Sequence, residues 1–275
     1  MGWIQGDKFE SVGDSAYSPI VRLGGDYSRL TNTFNPNNLK DINIVYTHTF
    51  YVKQLFSVIA SMPQRFIIVT HNCDVNVDFV PPDNVIRWFS QNVNIIHDRI
   101  ESIPIGLENS RWFPEINKIG KMQKKIQQRK VFKNMVYVNH NIKTNPGKRQ
   151  DPYNILKDMD WATTNYGSNG QGFDNYLDNI YNHPFVICPE GNGIDTHRTW
   201  ECLYMNTIPI EKRNINNQFY TDLPILFVDD WNEITEKFLH DEYMRIENTE
   251  WNFEKLNFKY WENKIKYDFN SNAIL

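Results

Sequence analysis

The stretch Phe185-Val-Ile-Cys-Pro-Glu-Gly-Asn-Gly-Ile-Asp-Thr-His-Arg-Thr-Trp-Glu-Cys-Leu-Tyr-Met-Asn-Thr-Ile-Pro-Ile210 reads in order as strand, glycine-containing loop, helix, turn and strand. Its opening run, 185–188, is apolar on both faces, as expected of a buried parallel strand. Gly191 and Gly193 let the loop turn tightly and let backbone approach a ligand. Asp195 or Thr196 stands where a helix needs its N-cap. The first turn of the following helix offers unpaired N–H groups at the positive end of the dipole, which suits a phosphate. Arg198 lies in that turn and adds a bidentate donor. Glu201, one turn beyond His197, shares its face, and a carboxylate there can accept both hydroxyls of a ribose. Spacing alone leaves a plainer alternative. Gly-x-Gly without a third glycine is common, no Walker A is present, and an ordinary β-loop-α turn with an ion-paired helix has the same pattern.

Outward from this stretch, short β-branched runs alternate with segments of helical period. Strands are expected at 42–46, 66–70, 85–89, 102–105, 135–139, 185–188, 207–210 and 225–228. Helices are expected at 52–60, 118–129, 153–159, 174–181, 196–205 and 231–240. This alternation predicts an α/β fold with parallel sheets flanked by helices. The interval 117–133 is rich in Lys and Arg and poor in large apolar residues, so it reads as an exposed helix or linker. Several strands fall on each side of it, so two sheets are expected. Phe253, Leu256, Tyr260, Trp261 and Ile265 fall at helical spacing. The expected organisation is an N-terminal domain over 1–115, a linker over 116–133, a second domain over 134–250, and a C-terminal helix over 251–275 that can cross back to the first.

The order Pro189, Gly191, Arg198, Trp200, Glu201, Pro209, Ile210 resembles the donor-binding core of exostosin-like glycosyltransferases, the family 47 type. The likeness is specific over 185–210 and diffuse through the rest of the C-terminal half. Asn206 stands where that family often has glycine, a mild departure because Asn tolerates the left-handed conformation. The resemblance implies two Rossmann-like domains facing a cleft (the GT-B architecture), a UDP-sugar donor, inverting transfer to a glycan hydroxyl, and no essential metal or other cofactor. It places Glu201 on the ribose and Arg198 on the diphosphate, with Glu190, Gly191, Gly193, Asp195, Thr196 and His197 around them. It also implies a basic residue after the first strand of the second domain. The segment Asn139-His-Asn-Ile-Lys-Thr-Asn-Pro-Gly-Lys-Arg149 supplies Asn139 and Arg149, with Lys143 and Lys148 as helpers or as a solvated basic loop. The loop 166–172 falls where a uracil would be contacted, or is a plain connection. Relatives of this type use several UDP-linked sugars, and xylose is the expectation here. They include membrane-anchored Golgi enzymes; a cytosolic or virus-encoded enzyme is expected instead.

Inverting transfer needs a base for the acceptor hydroxyl, expected from the N-terminal domain. The strand 66–70 runs into Thr70-His-Asn-Cys-Asp74 and the strand 42–46 into Thr47-His48. Ligands of open α/β sheets bind beyond the carboxyl ends of strands. Asp74 is therefore the first choice for the base, His71 the second, and His48 an acceptor-side residue. Hydrogen bonding within turns is the alternative for each. Glu108, after the strand 102–105, faces acceptor or the other domain, while Trp88, Trp112 and Phe113 stack on sugars or fill the core. Asp158-Met-Asp160 and Asp229-Asp230 read as turn and N-cap residues. His197 with Glu201 lacks a second His, so no catalytic metal is expected.

Composition bounds the alternatives. The 275 residues include 29 basic and 33 acidic ones, a net charge of −4, with the basic residues spread along the chain. That argues against a nucleic-acid binder built on phosphate contacts. Cys73, Cys188 and Cys202 form neither a CxxC pair nor a disulfide framework, which points to a reducing compartment. No apolar run reaches the length of a membrane span and no secretory signal is evident, so a soluble, cytoplasmic protein is expected. A catalytic domain from a longer membrane-anchored protein has the same composition. Two other functions compete. A non-catalytic nucleotide- or sugar-binding protein could keep the donor fold. A nucleotide-linked oxidoreductase or epimerase needs a glycine fingerprint after its first strand, and 42–50 has none.

Overall fold

Two runs of apolar and β-branched residues, Ile42–His48 and Arg65–His71, pair in parallel over seven residues, Ile42 opposite Arg65 through to His48 opposite His71. Every residue of the first is buried, as both-face apolarity requires. The computed structural model to which they belong describes residues 2–19, 30–165 and 172–273. The chain divides into two units, one of Met1–Gly106 with Glu254–Leu275 and one of Leu107–Phe253.

The first unit contains α1 (Gly6–Glu10), β1 (Ser15–Ala16), β2 (Ile42–His48), α2 (Val52–Ile59), β3 (Arg65–His71), β4 (Val85–Ser90) and β5 (Ile100–Ser102). Its sheet is parallel, in the simple order β1-β2-β3-β4-β5. The last strand lies earlier than the expected 102–105. Ile103 still donates to Ser90, but Pro104 has no N–H to extend the ladder. The C-terminal helix, Phe258–Ala273, belongs to this unit. Asp268 accepts from Arg87 at 3.0 Å, and Lys264 bonds Glu101. Short α1 and β1 have too few residues to show a period, so sequence pattern does not reveal them.

The second unit contains α3 (Lys118–Lys125), β6 (Val136–Val138), α4 (Pro146–Leu156), β7 (Ala162–Thr164), α5 (Gly172–Tyr181), β8 (Phe185–Ile187), α6 (His197–Tyr204), β9 (Ile208–Lys212), β10 (Leu226–Val228) and α7 (Glu236–Glu247). Its sheet is also parallel, in the order β10-β9-β8-β6-β7. The chain enters at the interior strand β6, steps out to β7, then returns past β6 to β8 and continues to β9 and β10. Val136, Val138, Phe185, Ile187, Ile208, Ile210, Leu226 and Val228 alternate along four strands and so share one face. Leu156 of α4 and Leu239 and Ile246 of α7 cover that face, each buried side chain being worth about 1.5–3 kcal/mol. Pro209, which cannot donate to a ladder, stands one residue before β10 begins to pair at Ile210.

Several boundaries differ from the sequence expectation. The segment 116–133 does not separate the units; the division falls at Gly106, and α3 lies against α5 with Lys121–Asp174 at 2.7 Å and Lys125 paired to Asp178. Gly106 has φ +66° and a Cβ there would meet Ile4 at 2.5 Å, so both conformation and space demand glycine. α4 begins at Pro146, not at 153. Pro146 sits in its first turn, where a proline is favoured, and the helix then tolerates an internal Pro152 that reads as a start signal. β7 carries no strand signal in the sequence because Ala-Thr-Thr is short and only half-buried. The expected helix 231–240 is a 3-10 turn, Trp231–Glu233, followed by α7. Asp230 and Glu233 form a capping box on the turn, and Thr235 caps α7, its Oγ1 accepting from the Phe238 N–H at 3.2 Å. Asn206 takes the left-handed conformation, φ 54°, at the end of α6.

Candidate anion-binding site

In the second sheet the strand order reverses between β6 and β8, and open α/β sheets place their ligand crevice beyond the carboxyl ends of strands at such a reversal. Two arginines come from the helices that follow these two strands. Arg149 lies in the first turns of α4 and Arg198 in the first turn of α6. Arg149 is anchored from the strand loops, its Nε donating to the Glu190 carbonyl at 2.9 Å and its Nη1 to the Asn141 carbonyl at 3.0 Å. Burial, and then the charge of Arg198, lower its pKa to about 10, so it remains a cation. Gly191 makes room for it: a Cβ there would meet Arg149 Nη2 at 2.9 Å. Arg198 lies over the Tyr176 ring at 5.3 Å, and its buried Nη1 has no hydrogen-bond partner among the described residues. A buried guanidinium donor left open, beside a second cation, fits a bound anion.

The helix N-termini support the same chemistry. Thr196 is the N-cap of α6 by position, but its side chain makes no capping bond. Asn145 is the N-cap of α4 and turns away likewise, its Nδ2 donating to the Gly191 carbonyl at 2.7 Å. Asp195 precedes the N-cap position. Its carboxylate accepts from Trp200 Nε1 at 2.9 Å and locks that buried indole. Gly193 accepts from the Gly191 N–H at 3.0 Å, which closes the loop on itself. Glu190 accepts from Lys148 at 3.1 Å, Lys143 is exposed, and the half-buried His197 stands beside Arg198 at the start of α6. Asn139 follows β6, buried, and donates to the Tyr137 hydroxyl. Glu201 is buried on α6 and takes the Tyr176 O–H at 2.5 Å. Burial pushes the Tyr176 phenol well above its ordinary range, which keeps it a donor.

Three features here were not legible in sequence. His140 is buried, donates from Nε2 to the Arg149 carbonyl at 2.7 Å, and leaves Nδ1 without a partner among the described residues. Tyr176 comes from α5, whose contact with α6 no local pattern encodes. Glu211 on β9 receives Thr199 Oγ1 and, at 3.2 Å, Asn217 Nδ2. Cys188 and Cys202 lie 4.0 Å apart and buried beneath the loop, and burial pushes the Cys202 thiol up, which leaves it unreactive. Residues 166–171 of the expected uracil loop lie outside the described residues.

The first unit holds the other candidates. His71 ends β3, but both ring nitrogens are engaged: Nδ1 accepts from the Asn72 N–H at 2.7 Å and Nε2 faces the Pro104 carbonyl at 3.1 Å. It also stacks on Phe9, 5.1 Å between centroids, so it serves packing. Asp74 is exposed in the loop after β3. His48 ends β2, buried and stacked on Tyr51 at 6.2 Å. Trp88 is fully buried and donates to Thr70 at 2.9 Å, whereas Trp112 and Phe113, in the second unit, are about half exposed. Glu108 also falls in the second unit, ion-paired with Lys118. Asp158 and Asp160 are exposed, and Asp230 is the N-cap already described. Among the described residues no group of three His, Cys, Asp or Glu side chains is placed to hold a metal, and no helix is long and apolar enough to cross a membrane.

No family model matches the chain, and no curated protein matches it. Among solved structures it is similar to a variant of the wall teichoic acid polymerase TagF, with 10% identity over 87% of this chain and 92% of that one, at a TM-score of 0.25. A likeness at that level decides nothing about fold or function. The two parallel sheets rest on their own strand registers.

Proposed function

We propose that this chain is an inverting glycosyltransferase whose second unit holds a UDP-sugar by its diphosphate and ribose. The observation that carries the reading is the pair Arg149 and Arg198, set by α4 and α6 at the strand reversal, with one guanidinium donor buried and open. The motif through Pro189, Arg198, Trp200 and Glu201 supports the nucleotide-sugar assignment. In the proposed reaction the acceptor hydroxyl attacks the anomeric carbon, its proton passes to a base, and the bond to the UDP oxygen breaks. The two arginines stabilise the charge that grows on the departing diphosphate. Glu201 accepts from the ribose hydroxyls. Asp74 is the proposed base, because its carboxylate is exposed while both nitrogens of His71 are engaged. The acceptor is proposed to be a glycan hydroxyl, and UDP-xylose is the first donor to try in a UDP-release screen.

Arg149→Ala and Arg198→Ala should each weaken UDP binding about 10- to 150-fold, the worth of one charge-assisted hydrogen-bonded contact, with the fold retained by circular dichroism. Calorimetric binding of UDP unchanged in both variants removes the donor site from this location. Asp74→Asn should leave UDP affinity as it is and reduce turnover by roughly 10²–10⁴.

A further inference from the structure

His140 sits beside both arginines, and the donor reading gives it no task. It follows β6 at 2% exposure, with Nε2 bound to the Arg149 carbonyl at 2.7 Å, which fixes the proton on that nitrogen. Nδ1 is buried as a bare acceptor with no hydrogen-bond partner among the described residues. A buried polar atom left unmatched is unfavourable, so Nδ1 marks a place where a ligand group can complete the contact. The charged groups acting on the ring are Arg198 from α6 and Arg149 from α4. Burial lowers its pKa to about 4; the Arg149 carbonyl bond opposes this, and the two arginine charges add to it. Without an anion on the two arginines the imidazole is therefore neutral. A diphosphate on the two guanidinium groups reverses the field at the ring and brings acceptor oxygens where Nδ1 had none.

We infer that His140 takes a proton from solvent when the diphosphate of a nucleotide-sugar binds, and that its imidazolium then donates from Nδ1 to a phosphate oxygen as the third cation of the site. This rests on the donor reading above. The balance is one N–H bond formed per diphosphate bound and one proton removed from the buffer. Binding is then tightest at low pH; as pH rises from the pKa of the free ring, about 4, to that of the liganded ring, the affinity falls by up to about tenfold per pH unit, and above it the affinity levels off.

UDP-glucose is the probe, because its diphosphate carries no terminal monoester and lacks the ionisation near pH ~6 that such a group has. Calorimetry at about pH 7 in buffers of different ionisation enthalpy should show nearly one proton taken up per UDP-glucose bound. Nitrogen-15 spectra of the unmodified protein should show His140 as the neutral Nε2–H tautomer alone and as imidazolium with ligand. His140→Gln keeps a donor for the Arg149 carbonyl and cannot take the proton. It should show no uptake, with weaker binding near pH ~6 and a gap that closes as pH rises. Binding without proton uptake, with the ring neutral throughout, overturns the inference and leaves the donor reading standing. Uptake unchanged in His140→Gln overturns it as well, and failure of the unmodified protein to bind UDP-glucose overturns both.

Discussion

Glu201 gives one carboxylate oxygen to Tyr176 at 2.5 Å, and its charge acts on Arg198. Glu201→Gln keeps an acceptor for that hydroxyl and removes the charge. UDP affinity should fall about tenfold or more while pyrophosphate binding stays within about twofold, since only UDP carries a ribose. Equal losses by calorimetry would place Glu201 elsewhere. Glu211 offers a test through pH. Burial raises its carboxyl to about 7, Asp195 and Glu190 add to the rise, and the bonds from Thr199 and Asn217 oppose it. The folded state therefore holds this proton more tightly than the unfolded chain. The resulting stability is fully present below pH ~4.5 and is lost as pH rises through about 7. Denaturant unfolding should register a decline of up to about 3 kcal/mol across that window, flattened in Glu211→Gln. Arg198 and Glu201 were legible because helical spacing from a glycine loop fixes their positions. His140, Tyr176 and Glu211 were not, since each owes its environment to a neighbour far along the chain.

At the scale of elements, the loop between β8 and α6 is shaped around Arg149. Gly191→Ala puts a methyl 2.9 Å from Nη2, the movable end of a side chain, so the guanidinium yields and the fold survives. UDP should bind about tenfold more weakly, with stability changed by less than about 1 kcal/mol, a combination read from calorimetry and denaturant unfolding together. The long apolar strands β2 and β3 were plain in the sequence because both of their faces are buried. So was the β8–α6–β9 succession, where period two gives way to period 3.6. The start of α4 was hidden by Pro152, and this moved Arg149 from an expected loop into a helix. β7 is hidden by its half-exposed threonines, and the expected β5 lies late because the apolar run continues past the point where Pro104 stops the ladder.

For the whole molecule, two α/β units with two parallel sheets could be read from alternating patterns, but strand order could not. Local periodicity carries no record of pairing, so the reversal between β6 and β8 that places the candidate site became visible only in the registers. The chain leaves the first unit at Gly106 and returns at Glu254, so the second unit is inserted in the first. Truncation after Phe253 should remove the Arg87–Asp268 and Lys264–Glu101 ties and destabilise the first unit, while UDP still protects the second from protease. Loss of UDP protection in the truncated chain would show that the second unit does not stand alone. The insertion also sets an order of birth. On the ribosome the second unit has all its residues once Phe253 emerges, whereas the first, begun earlier, waits for 254–275. At about 5–20 residues per second that wait is about 1–4 s. Of the two units, the one begun first is the one finished last, and through that interval the β4–β5 side of its sheet stands without the helix that fastens to it, open to chaperones or to another nascent chain.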